Sequence, residues 1–210
     1  MPHIGVDEAG KGDYFGYLVV AAVYVDDEAE KKLRALRVKD SKLLLDSPAT
    51  KLAAEIRKTC LYDIVKISPE KYNLLYKKFK NLNKMLAWGH AKAIENLLPK
   101  TKAEYVITDK FGDEKFLKDA LMEKGKAIRV DQVVKAESDI AVAAASVLAR
   151  AEFLRTLRVL SREVGHVLPK GSTHVQDAGK FILKNYGEEG LSKLAKMHFR
   201  ITKKLLSEKA

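Results

Sequence analysis

Two apolar runs near the start of the chain, His3 to Asp7 and Gly16 to Val25 (GYLVVAAVYV), are separated only by a short glycine-rich stretch. Nothing else in the sequence constrains the fold as much. Both runs read as strands, the second rich in Val and Tyr and bounded by Gly and Asp, and the stretch between them reads as the turn of a hairpin. A third strand is expected over Tyr62 to Ser68 (YDIVKIS), after a helix that begins near Ser47, where a capping side chain precedes Pro48 at the first helical position. Glu104 to Thr108 and Ala127 to Val130 read as short buried strands, separated by a helix from Glu114 to Lys124 that stops at Gly125. That is β-α-β order. Beyond it the chain turns helical, from Asp139 to Val164 with a stop at Gly165, then roughly Val175 to Asn185 and Leu191 to Glu208. Hairpin strands first, crossover strands next and helices last imply an α/β protein with a mixed five-stranded sheet, flanking helices and a helical C-terminal region. No repeat, low-complexity tract or linker divides it, so residues 1–210 are expected to form a single domain.

Lys and Arg number 39 against 28 Asp and Glu, a formal charge of +11. A polyanionic partner is therefore favoured electrostatically, although a charged content of 32% with one cysteine equally suits adaptation to heat. Cys60 has no partner for an intramolecular disulfide, and no C-x-x-C pair offers a thiolate zinc site. Without a signal-peptide pattern or an apolar run of membrane-spanning length, the chain is expected to be cytoplasmic, with no membrane partner and no obligate protein partner.

Chemistry concentrates at strand ends. Asp7 and Glu8 close the first strand and precede Ala9-Gly10-Lys11-Gly12, so two acids meet backbone free enough to approach a phosphodiester. Asp109 closes Tyr105-Val106-Ile107-Thr108, placing a further acid at the C-terminal edge of a strand, where open α/β sheets bind ligands. Glu137 and Asp139 stand at the start of a helix whose next residues, Ala141 to Ser146 (AVAAAS), are small enough for close packing on a sheet. Acids in a first helical turn also complement the helix dipole without any metal.

In this order, IGVDEAGKGDYFG at residues 4–16, DSKL at 40–43, Leu82-Asn83, Asp109, Lys135-Ala136-Glu137 and AAASVLAR at 143–150 resemble type 2 ribonuclease H. GDYFG at 12–16, LPKG at 168–171 and AKMHF at 195–199 are more similar to ribonuclease HIII than to ribonuclease HII. The Gly10-Lys11-Gly12 triplet instead resembles the glycine-basic-glycine turn of ribonuclease HII. The resemblance implies an RNase H-like fold and endonucleolytic hydrolysis of the RNA strand of RNA/DNA hybrids, leaving 5′-phosphate and 3′-hydroxyl ends. It further implies a four-carboxylate site for Mg²⁺ or Mn²⁺, made by Asp7, Glu8, Asp109 and Glu137. The acid before the Ala-Ala-Ser segment stands one residue nearer to it than is usual in the family, which leaves Asp139 as the alternative ligand. Carboxylates are hard donors suited to these ions, and clustered acids repel one another without a cation.

Substrate contacts follow from the same resemblance. Gly10, Lys11 and Gly12 are expected to read the ribose 2′-hydroxyl, the only handle that separates RNA from DNA at a given nucleotide. Ser41 and Lys42 match the phosphate contact, while Asn83 and Ser146 match positions that approach the substrate backbone. Lys170 is expected to reach the cleft from a loop, and Tyr14 to stack on a sugar or base. Lys196, Arg200, Lys203 and Lys204 form a basic stretch suited to cradling a duplex or to facing solvent, and His198 reads as a helix-face residue. The loop at 168–173 (LPKGST) lacks the tyrosine that ribonuclease HII holds in a Gly-Tyr-Pro context, so runs of ribonucleotides should be preferred over a single one. Ribonuclease HIII typically carries a substrate-binding domain ahead of its catalytic domain. With six residues ahead of Asp7, this chain is expected to be a truncated form or to bind hybrid through its core alone.

Overall fold

The computed structural model describes residues 1–38 and 46–208. Its strands β1 (His3–Ala9), β2 (Leu18–Val25), β3 (Tyr62–Ile67), β4 (Tyr105–Asp109) and β5 (Arg129–Val133) form one five-stranded sheet in the order β3-β2-β1-β4-β5. The hairpin forms as expected: β1 and β2 run antiparallel from His3↔Val25 to Ala9↔Val19. β4 lies parallel to β1, and β5 parallel to β4. The helices are α1 (Asp27–Ala35), α2 (Asp46–Thr59), α3 (Pro69–Phe79), α4 (Leu82–Leu97), α5 (Glu114–Ala120), α6 (Glu123–Lys126), α7 (Ile140–Glu163), α8 (Gln176–Leu194) and α9 (Arg200–Ser207). Among the described residues, no helix is long and apolar enough to cross a membrane.

The chain divides into two compact units. The first holds residues 1–9, 19–65 and 81–151, and its core lies where one face of the sheet meets α4. Strand alternation sends Ile4, Val6, Val20, Ala22 and Val106 into that core, with Ala87, Ala91 and Ile94 of α4. The opposite face of β1 receives the small-residue start of α7. A side chain at Gly5 would collide with the backbone of Ala141 and Val142, so glycine is what lets helix and strand approach so closely.

The second unit comprises residues 10–18, 66–80 and 152–210. There α3 is capped by the Ser68 hydroxyl, which accepts from the Lys71 amide, and carries Pro69 at its start. α8 bends at Gly187, whose φ of 68° lies outside the helical range.

Three helices went unread in the sequence. α1 is short and largely charged, α3 is short, and α4 leaves only the narrow stripe Lys84, Trp88, Lys92 and Glu95 outside a broad buried face, which blunts the one-sided periodicity that marks a surface helix. The expected helix from Glu114 to Lys124 is in fact broken at Leu121, whose backbone is extended, and Gly125 sits inside α6. Glu95 explains the break by accepting hydrogen bonds from the amides of both Met122 and Gly125. The expected helix from Leu191 to Glu208 is interrupted too, because Ala195 is extended and bridges to Phe15 before α9 begins at Arg200.

Candidate active site

Parallel pairing of β1 and β4 brings the acids together. Ladder partners run from His3↔Tyr105 to Val6↔Thr108, and the next residue on each strand is an acid, Asp7 on one and Asp109 on the other. Neighbouring strands lie about 4.8 Å apart, so both carboxylates leave the same edge of the sheet side by side. Asp7 accepts a hydrogen bond from the Ser146 hydroxyl of α7 and another at Oδ1 from the Glu8 amide, 2.8 Å away. Burial, followed by the charge of Glu8, pushes the Asp7 carboxyl up to about 6 despite these bonds. Asp109 Oδ1 accepts from the Ala136 amide at 3.0 Å, which draws the 3₁₀ turn Ala136–Ser138, and with it Glu137, toward the end of β4.

Glu8 points to the other face of the sheet. Its Oε2 lies 3.0 Å from Nε2 of His90, a fully buried residue of α4 whose Nδ1 lies 2.8 Å from Thr108 Oγ1. His90 was not singled out in the sequence, because a lone histidine within an apolar helix gives no signal until its strand partners are known.

Asp139 has a different task. Its Oδ1 accepts from the Ala141 and Val142 amides at 2.9 and 3.1 Å, capping α7, and its carboxylate pairs with His3 Nε2 at 3.0 Å. α7 therefore runs along β1 in register, Asp139 at His3, Ala141 and Val142 at Gly5, and Ser146 at Asp7. Asp139 thus stands at the end of the strand opposite Asp7, which argues against it as the fourth metal ligand. Burial alone would raise its carboxyl, but the His3 hydrogen bond and charge, with the two amides, hold it below the usual value. His3 responds in kind: burial would lower it, and Asp139 with the Met1 carbonyl raises it.

Asn83, in the first turn of α4, packs against Gly112 just past the end of β4, where a Cβ would come within 2.9 Å of its amide nitrogen. Ser146, expected to approach substrate, is bound to Asp7 instead. Ser41 and Lys42 lie outside the described residues.

In the second unit, Gly10 has a φ of +86°, and a side chain there would meet the Tyr17 carbonyl and Phe153. Gly12 differs: it is exposed, and a Cβ would meet nothing within 4 Å. Lys11 is half-buried beside it. Tyr14 cannot stack on a nucleotide, since it is fully buried, edge-on to Phe15 and Phe199, with its hydroxyl accepting from Thr202 Oγ1 at 3.2 Å. Lys170 is exposed in the loop before Gly171. Lys196 is no part of a solvated basic face, as it too is fully buried, while Arg200, Lys203 and Lys204 are exposed. His198 stacks on Tyr76 with ring centroids 4.4 Å apart.

Asp7, Glu8, Asp109 and Glu137 offer only oxygen donors, which suits a hard divalent cation and no softer metal. A cation would also relieve the repulsion that raises Asp7. Among the described residues, no three His, Cys, Asp or Glu side chains are already drawn in tightly enough to enclose an ion.

A mixed sheet presenting acids at the C-terminal ends of adjacent parallel strands, with a small-residue helix packed across them, defines an RNase H-like protein. The family model described as Ribonuclease HII matches residues 4–202, and the chain belongs to that family of type 2 ribonucleases H, which are endoribonucleases. Within it the chain is closer to ribonuclease HIII. It is 49% identical to a ribonuclease HIII of Protochlamydia amoebophila over 99% of this chain and 69% of that protein, and 48% identical to one of Chlamydia felis over 95% and 68%. Among solved structures, Bst-RNase HIII in complex with Mn²⁺ superposes with a TM-score of 0.92 at 37% identity, covering 99% of this chain and 70% of that one. The ribonuclease H2 of Pyrococcus horikoshii OT3 shares the fold, with a TM-score of 0.84 at 23% identity over 99% of this chain and 98% of that one.

Proposed function

We propose that the protein is a cytoplasmic, metal-dependent endonuclease that hydrolyses the RNA strand of RNA/DNA hybrids to 5′-phosphate and 3′-hydroxyl ends. The observation that carries this reading is the in-register exit of Asp7 and Asp109 from adjacent parallel strands. Mg²⁺ or Mn²⁺ held by Asp7, Glu8, Asp109 and Glu137 would supply the chemistry of two-metal phosphodiester hydrolysis, an activated water and a stabilised leaving 3′-oxygen. Ser146, the Glu8 amide and the Ala136 amide orient Asp7 and Asp109, and His90 holds Glu8. Ordered outer partners of this kind fix the direction in which carboxylate lone pairs point.

Glu137 is favoured over Asp139 as fourth ligand because its neighbour Ala136 is tied to Asp109, whereas Asp139 is taken up by α7 and His3. Gly12 supports the expected reading of the 2′-hydroxyl. Neither packing nor a positive φ demands glycine there, and the bare, exposed backbone leaves room for a closely approaching ribose. Lys11, Lys42 and Lys170 supply point charges for phosphates, and Ser41 and Asn83 polar contacts. With Tyr14 buried and the loop at 168–173 without a tyrosine, continuous hybrid remains the preferred substrate over a lone ribonucleotide.

Two labelled duplexes test this, a continuous RNA/DNA hybrid and DNA containing one ribonucleotide, each with Mg²⁺, Mn²⁺ or EDTA. Metal-dependent cutting of the hybrid is expected, and efficient cutting at the lone ribonucleotide would move the assignment to repair of the ribonuclease HII type. Asp7→Asn should slow cleavage by about a thousandfold or more, the scale of a lost metal's contribution, while hybrid binding persists. Wild-type turnover in that variant would remove Asp7 from the site.

A further inference from the structure

Lys196 is the least expected side chain of the second unit. It is completely buried, and among the described residues no carboxylate lies within ion-pairing distance of it. Burial, only partly opposed by the charge of Asp13, pulls its amine down to about 7. Burying an amine is costly, so packing alone does not account for a lysine there.

The hydrogen bonds of its side chain lead to one segment. Nζ donates to the main-chain carbonyls of Asp13 at 2.9 Å and Gly16 at 2.7 Å, and lies 5.5 Å from the centre of the Tyr72 ring. The Lys196 amide donates to the Tyr14 carbonyl at 2.8 Å, the Gly16 amide to Leu194 at 3.0 Å, and Phe15 bridges to Ala195. From the other side, the Gly171 amide donates to Asp13 Oδ1 at 2.6 Å and the Tyr14 amide to the Gly171 carbonyl at 2.8 Å. Residues 13–16 are thus gripped along their length, and the tip formed by Lys11 and Gly12 projects from a fixed base. Residue 171 belongs to the same grip, which ties the base of the Lys170 loop to the base of the glycine turn.

We infer that Lys196 is a positioning residue for substrate: by donating to both the Asp13 and Gly16 carbonyls, its Nζ holds the Gly10-Lys11-Gly12 tip in the conformation that meets the ribose. This rests on the ribonuclease reading proposed above. A tip set in advance spares the ordering that binding would otherwise require, and a misplacement of about 1 Å is enough to cost large factors in rate.

Lys196→Met keeps the length of the side chain and removes the Nζ donor. With thermal stability followed in parallel, KM for the hybrid should rise about tenfold or more while kcat stays within a few-fold and the Mg²⁺ concentration for half-activation is unchanged. Should that variant not fold, amide hydrogen exchange in the wild-type protein decides the matter. Tyr14 and Gly16 should exchange slowly without nucleic acid, and Gly12 quickly until hybrid is added. Tyr14 and Gly16 amides that exchange as fast as Gly12 before hybrid binds would overturn the inference, as would a folded variant with unaltered KM. A wild-type protein that leaves the hybrid intact overturns the ribonuclease reading and takes this inference with it, whereas wild-type cutting beside a variant of unchanged KM removes the positioning role alone.

Discussion

At the scale of single residues, acids close in the sequence have unlike surroundings. Glu137 and Asp139 stand two positions apart, yet Asp139 caps α7 and pairs with His3 while Glu137 follows the residue bound to Asp109. Glu137→Ala should abolish most cleavage and leave stability nearly intact. Asp139→Ala should do the reverse, losing about 1 kcal/mol with the cap alone. The Asp139 loss should depend on pH. His3 is raised above 6.5 in the folded state, so its contribution is complete below that value and fades as pH rises through the folded pKa; Asp139 is lowered below 3.8, so its share fades as pH falls. Urea unfolding of both proteins should therefore differ most between about pH 4 and 6.5. A constant difference across about pH 5 to 8 would dissociate His3 from Asp139. His90→Gln should lower kcat by about 10- to 100-fold and raise the half-activating Mg²⁺ concentration, because Glu8 loses the partner that aims it. Unaltered metal dependence would leave His90 a packing residue.

At the scale of elements, the docking of α7 on β1 places Ser146 against Asp7. It depends on Gly5 on the strand and on Ala141 and Val142 on the helix, which meet backbone to backbone. Gly5→Ala has no room to relax and should cost about 3 kcal/mol or more in denaturant unfolding, with loss of activity in whatever still folds. A variant of wild-type stability would mean that helix and strand lie further apart than described. The small-residue run of α7 was visible in the sequence, and so was the hairpin, because each depends on local pattern. α4 was not, since its less buried stripe of Lys84, Trp88, Lys92 and Glu95 is narrow and includes a tryptophan.

For the whole molecule, a net charge of +11 predicts hybrid binding dominated by phosphate neutralisation. Affinity measured by fluorescence anisotropy should fall by about a hundredfold or more between ~50 and ~200 mM salt, and an affinity indifferent to salt would contradict that view. The sequence by itself determined the strands, the hairpin, the family and the placing of Asp7, Glu8 and Asp109 toward strand ends, because strand alternation, turn glycines and an ordered series of motifs are local properties of a chain. Only the tertiary structure decided that Asp139 belongs to His3, that His90 stands behind Glu8, that Tyr14 is core, and that Lys196 grips the glycine turn from within. Each of these is a contact between residues far apart in sequence, and burial and partnership across such distances exist only once the strands have paired and the helices have docked.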